Sequence, residues 1–249
     1  MLQLDFYRTI EKAKGGKGVV VLDERLSAAA QMIRPGSRVA DVGTDHGYLI
    51  VRLLLDGKAA FGYACDIHPN PLEKAAKTLR QYDLQDRCAL LLGDGLQGLS
   101  EEQVDDVVIA GMGGDMILHI LDEAGWRNPA HRFILQPMTK IHELRIGLYR
   151  RGYEILKEQA AQVKNFAYTV MQVRWCGQPR EITDLFARVG MLPQTRSAAA
   201  LVYLEKQAQS AEKIAEGLEK SNTKRNEIDK YYELAKEIRA ICADWREEE

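Results

Sequence analysis

The sequence predicts an α/β fold: a mostly parallel sheet flanked by helices, closed by an antiparallel strand pair and followed by an antiparallel helical hairpin. Three observations carry this. Short apolar runs alternate with helical stretches between residues 38 and 151, the pattern of right-handed crossovers. Two strand-like runs, 153–163 and 166–175, then follow each other across a two-residue turn. After Pro179 the period changes to alternating spacings of three and four, the mark of a helical seam.

The elements follow in order. A short amphipathic stretch and the glycine-rich Lys14–Gly18 lead to Val19–Val21. From Asp23 a helix is expected, with Leu26, Ala29, Ala30 and Ile33 on one face and Pro35-Gly36 stopping it. Strands are expected at 38–42, 59–65, 88–92, 107–110 and 133–135. Helices are expected at 46–55, 70–82, 114–124 and 141–151. Leu201, Leu204, Ala208, Ala211, Ala215 and Leu218 form one seam, and Ile228, Tyr231, Ala235, Ile238, Cys242 and Trp245 a second. The polar break 219–226 makes them an antiparallel coiled-coil hairpin. Three regions are therefore expected: an N-terminal extension (1–22), the α/β domain (23–178) and the hairpin domain (179–249).

Composition excludes several classes. The 249 residues carry 34 Lys+Arg and 36 Asp+Glu, a net charge of −2, so a uniformly basic nucleic-acid coat is ruled out and only a local patch is open. The longest run without a charged residue, Asn165 to Val173, is far too short to span a bilayer. The first ten residues, with Asp5 and Arg8, lack a signal core. Cys65, Cys88, Cys176 and Cys242 form no CxxC pair, and the five histidines no HExxH. The expectation is a protein of the reducing cytoplasm, with no metal and no membrane partner. Oligomeric state is left open, with a monomer favoured.

The chemistry concentrates at strand ends. Asp41-Val-Gly43-Thr44-Asp45-His46-Gly47-Tyr48-Leu49 closes the first strand and opens a helix. Such a turn offers backbone N–H groups to a polar ligand. It is no P-loop, and in the GxGxxG frame Asp45 and Tyr48 stand where glycines should be. A cationic ligand without phosphate suits it, and S-adenosylmethionine is one. An ordinary capped turn is the plainer alternative. Asp66, followed by Ile67 and His68, ends the second strand, where a carboxylate can accept both ribose hydroxyls. Gly93-Asp94-Gly95 ends the third and can take an adenine amino group. Ala110-Gly111-Met112-Gly113-Gly114-Asp115 ends the fourth, and its glycines leave room for a flat group. Gln136-Pro137 ends the fifth. Asp45 is the expected acceptor nearest the chemistry, while Asp115 reads as a helix N-terminal acid. Between 140 and 180 there are eight Lys/Arg and three acids. Arg145, Arg150 and Arg151, with Tyr149, Tyr153 and Trp175, are expected to track phosphates and stack bases. Arg8, Lys12, Lys14 and Lys17 can add a second patch. After Pro179 there are 12 basic and 14 acidic residues, which suits a shape-reading arm.

The set DVGTDHGYL, CDIHP, GDGL, IAGMGG and LQPM with the following LR…GY resembles the bacterial tRNA (adenine-N1)-methyltransferases that modify position 22. The likeness spans about residues 23–178 and extends to the helical hairpin. Thr44, Gly47 and Ile50 depart from the family pattern. The resemblance implies a Rossmann-like class I methyltransferase fold, S-adenosylmethionine as cofactor and tRNA as partner. It assigns cofactor contacts to 41–49, 66–68, 93–95 and Ala110–Met112. It puts the target adenine near Gly111–Gly114 and Gln136-Pro137, with Asp45, Gly111, Met112 and Gly113 at the reacting atoms. Two other readings fit the residues: a methyltransferase for another RNA position, a small molecule or a protein, and a noncatalytic adenosine-ligand sensor.

Overall fold

Five strands run parallel because each is joined to the next by a crossover long enough to return the chain over the sheet. The computed structural model describes residues 10–11, 18–221 and 225–247. A small ribbon pairs β1 (Ile10–Glu11) with β2 (Val19–Val20). Then come α1 (Glu24–Met32), β3 (Ser37–Val42), α2 (Tyr48–Leu55), β4 (Ala59–Asp66), α3 (Pro69–Gln81) and β5 (Cys88–Leu92). They are followed by β6 (Asp106–Gly113), α4 (Gly114–Ala124), β7 (Arg132–Thr139), α5 (Ile141–Arg150), β8 (Tyr153–Val163) and β9 (Phe166–Trp175). The sheet order is β5-β4-β3-β6-β7-β9-β8. β9 runs antiparallel between β7 and β8. The basic N-terminal patch lies outside the described residues.

Both sheet faces are covered. α1, α2 and α3 pack on Val39, Val108, Ile134 and Val170. α4 and α5 pack on Ala40, Val107, Ile109, Phe133, Leu135, Met171 and Val173. α6 (Asp184–Val189), α7 (Ala198–Lys220) and α8 (Arg225–Glu247) carry a third cluster of Leu204, Ala208, Ala211, Ala235, Ile238 and Trp245. Ion pairs Arg239–Glu212 and Arg246–Glu205 set α7 and α8 antiparallel.

Several expectations need correction. The expected face of α1 does pack on the core, Ala29 and Ile33 buried and Leu26 and Ala30 partly so, but the buried face is wider and takes in Ala28, Met32 and Arg25, an arginine that an apolar count passes over. α2 starts at Tyr48, not His46, because Gly43 and Gly47 both have positive φ and carry the chain through a turn first. β6 and β7 run to Gly113 and Thr139, since the glycine-rich segment stays extended across two register shifts.

Arg145 is not a phosphate-tracking residue. It is fully buried against Glu158 at 2.7 Å, both side chains 0% exposed. The guanidinium also donates to the carbonyls of Ala187 (2.7 Å) and Arg188 (2.9 Å). Glu158 accepts from the Thr169 hydroxyl (2.6 Å) and the Met191 N–H (2.8 Å). One buried pair thus joins α5, β8, β9 and the C-terminal helices. Arg150 and Arg151 lie at the C-terminal end of α5, away from the strand ends that carry the site, and pair with Glu181 and Asp122. Tyr149 and Tyr153 are buried in the core, and Trp175 ends β9 at the same far edge. None of them stacks a base at the site.

Removing one member of a buried pair strands the other charge. Arg145→Met should lower the unfolding free energy by about 3–5 kcal/mol in urea denaturation. Arg145→Met/Glu158→Leu should recover most of that loss.

Candidate active site

The chain leaves β3 for β4 and β5, then returns to β6 on the other side of β3. That reversal opens a crevice at the strand ends. The Gly43 and Thr44 N–H groups donate to the Cys65 carbonyl at 2.9 and 3.1 Å, folding the loop onto β4. Gly43 has φ +79°, and a Cβ there would collide with Met112 Cε. The loop and the glycine segment therefore face each other at close range. Arg25, Leu26, Asp41, Gly43–Leu49, Ala110 and Gly111 line the cleft between them.

Asp41 is the buried acid of this cleft. Burial pushes its carboxyl from the ordinary 3.8 up to about 6; the Thr44 hydroxyl lowers it and the Asp66 charge raises it again. A carboxylate held ionised against its surroundings is a seat for a cation, such as an ammonium group. Asp66 is half-buried and accepts from the His68 N–H at 2.8 Å, which leaves its second oxygen for a hydroxyl ligand. Beside it Ile67 is 55% exposed, an apolar edge on a polar site. Asp94 is exposed and borders a cavity of about 210 Å³ also lined by Gly95, His119 and Trp126. Three carboxyls thus stand in sequence along three strand ends, an arrangement that could take a sulfonium nucleoside with an amino-acid tail.

Asp45 is already engaged. Lys74 donates to one oxygen at 3.1 Å and His46 Nδ1 lies 2.7 Å from the other. The His46 ring stacks on Tyr48, 5.1 Å between centroids. These contacts fix the acid at the cleft wall. Asp115 pairs with Lys140 on the surface, as a helix N-terminal acid would.

Gly111 is the open part of the glycine segment. Its φ is +80°, and a Cβ would meet nothing within 4 Å. Met112 and Gly113 are half-buried beside it. Gly114 plays another part: a Cβ there would strike the Lys140 carbonyl oxygen, so it is a packing glycine. Gln136 and Pro137 are buried and do not face the cleft. Gln136 Oε1 accepts from the Gly111 N–H at 3.1 Å and from Arg25 at 3.0 Å. Arg25 also donates to Asp23 at 2.7 Å, and Asp23 caps α1 through the Leu26 N–H at 2.9 Å. A helix cap therefore braces the shelf from behind. Sequence reasoning missed Arg25, Asp23 and Lys74. The only signal available was a lone arginine beside an apolar helical stripe.

The neighbouring thiols stay neutral, Cys65 and Cys88 both pushed up to about 12 by burial. Among the described residues no His/Cys/Asp/Glu group could hold a metal ion, and no helix is long and apolar enough to cross a membrane.

A family model described as a methyltransferase domain matches residues 22–171. The tRNA (adenine(22)-N(1))-methyltransferase of Bacillus subtilis (strain 168) is 30% identical over 230 residues, 87% of this chain and 96% of that one. The crystal structure of the B. subtilis M1A22 tRNA methyltransferase superposes with a TM-score of 0.78 at 27% identity, over 88% of this chain and 99% of that chain. Streptococcus pneumoniae Sp1610 in complex with S-adenosyl-L-methionine gives 0.76 at 28% identity, over the same shares.

Asp41 makes stability depend on pH. Its folded pKa is raised, so between about pH 4 and 6 the folded chain holds a proton that the unfolded chain has lost. Stability should fall as pH rises through that window and stay level above it. Asp41→Asn should exceed the wild type at pH 7–8 by on the order of 3 kcal/mol, the difference vanishing toward pH 4. Urea midpoints measured across pH 4–8 test this.

Proposed function

Because the chain belongs to the methyltransferase family of the tRNA (adenine(22)-N(1))-methyltransferases, we propose how its residues divide the work of methylating N1 of adenine 22 in tRNA. The enzyme uses S-adenosylmethionine, which supplies an electrophilic methyl group on its sulfonium. The observation that carries the assignment is the row Asp41, Asp66 and Asp94 at three successive parallel strand ends, opposite an open Gly111.

Asp41 receives the amino group of the cofactor, Asp66 its ribose hydroxyls and Asp94 its adenine amino group. Gly43, Thr44, Gly47 and Tyr48 shape the loop around the amino-acid end. Ile67 covers the adenine side, with His68, Gly93 and Gly95 at its rim. Residues 179–249 serve as the arm that reads the shape of the tRNA.

The target adenine lies against Ala110–Gly113. Adenine N1 carries an in-plane lone pair, so the protein needs no strong base to create a nucleophile. Its task is placement, which can lower a barrier by up to ~7–11 kcal/mol. The Arg25–Gln136–Gly111 brace supports this role, because it holds the shelf against a buried network instead of solvent. The methylated base is cationic. Asp45 at the cleft wall and the shelf carbonyls are acceptors for its amino group, and they favour the charge as it develops. Lys74 holds Asp45 in orientation.

Incubation with S-adenosylmethionine and a tRNA transcript should give 1-methyladenosine at position 22 by nucleoside analysis, and replacing A22 by G should abolish it. Methylation elsewhere, or of no tRNA, would overturn the reading. Asp45→Asn should lower kcat by about tenfold or more with cofactor affinity within about twofold. Wild-type kcat in that variant would remove Asp45 from the chemistry.

A further inference from the structure

Among the strongly exposed large apolar side chains of the described residues, Phe166 is the one aromatic, 58% open to solvent. It begins β9. Since β9 runs antiparallel to β7, that first residue projects beyond the C-terminal ends of the parallel strands, the end that carries the site. It is also joined to the site through side chains. The Gly111 N–H meets Gln136, Gln136 meets Arg25, and the Arg25 guanidinium lies 5.4 Å from the centre of the Tyr168 ring. Tyr168 is 6.2 Å from Phe166, the rings tilted by 31°. Lys206 of α7 stands 5.8 Å from the Phe166 ring centre and donates to the Asn165 carbonyl. A line of planar and cationic groups thus runs from the glycine shelf to the C-terminal helices; Gln136, Arg25 and Tyr168 within it are buried, and Phe166 and Lys206 at its outer end face water.

Methylation at N1 requires the Watson–Crick edge of the adenine to be free, so the base must leave its pair and its stack. The nucleotide beside it then loses a stacking partner. An aromatic face at the same end of the sheet can replace that partner, whatever the base. The adjoining lysine supplies positive charge for the phosphate that follows.

We infer that Phe166 is the stacking platform for an unpaired nucleotide flanking the target adenine, with Lys206 holding the adjacent backbone. The inference rests on the tRNA reading of the site. Tyr168, largely buried, anchors the platform and does not touch the RNA.

The test compares wild type, Phe166→Ala, Phe166→Leu and Phe166→Trp in one tRNA methylation assay, alongside S-adenosylmethionine binding and thermal unfolding. The position is exposed, so the variants should unfold within a few degrees of wild type. Phe166→Ala and Phe166→Leu should raise the KM for tRNA about fivefold or more, with cofactor affinity within about twofold. Phe166→Trp should restore the KM, and tRNA should quench its added tryptophan emission beyond the wild-type background. A Phe166→Ala KM within about twofold of wild type would overturn the inference, as would equal values for the Leu and Trp variants. If wild type itself leaves tRNA unmethylated, the functional reading fails, and the platform with it.

Discussion

The buried contact between Arg145 and Glu158 constrains more of this molecule than any other. Both groups are removed from water, so each must find charge and hydrogen bonds inside the protein. They find them in pieces of chain that are distant in sequence: α5, β8, the Thr169 hydroxyl of β9, the carbonyls at the end of α6 and the Met191 N–H. A Cβ on Gly190 would collide with the Glu158 carboxylate. The geometry therefore admits one seating of the C-terminal helices on the sheet. It also fixes how far the β8–β9 hairpin reaches past the strand ends, and so where Phe166 stands relative to Gly111.

The proposed active-site cleft follows a different logic. Its acids are placed by the strand ends, its openness by glycine, and its rigidity by the brace behind it. Burial around Asp41 sets up an electrostatic demand that the proposed cationic ligand would meet. Gln136 shows how a residue can serve a site without facing it: both donors to its oxygen come from the protein, and through them an α1 cap reaches the shelf.

Much of this was legible in the chain. The ranges 88–92, 114–124, 153–163 and 166–175 coincide with observed elements, because apolar period and flanking turns act locally. The placing of Asp41, Asp66 and Asp94 was legible too, since residues at or just past the C-terminal ends of parallel strands share one edge of the sheet. The family is what those motifs suggested. What failed was charge counted without direction. Arg150 and Arg151 belong to a basic stretch, and a count cannot see that their helix starts at the strand ends of the cleft and carries them to the other side of the sheet. Arg145 was read as a surface residue because its partner, Glu158, sits on the following strand at no helical spacing from it. Phe166 was passed over because exposure at a hairpin tip depends on what packs beside it. The face of α1 was read too narrowly because a buried arginine scores as polar.

The interior position of β9 has a consequence for how the chain is assembled. Of the seven strands it is synthesised last, yet it lies between two made before it. Until Trp175 has emerged from the ribosome, the flank of β7 keeps its unpaired backbone groups and Glu158 lacks the hydroxyl of Thr169. A nascent chain halted within β8 would expose a ready template for another strand. Once the chain turns at Lys164-Asn165 and β9 is laid down between β7 and β8, that flank is paired and the seat of the C-terminal helices is complete.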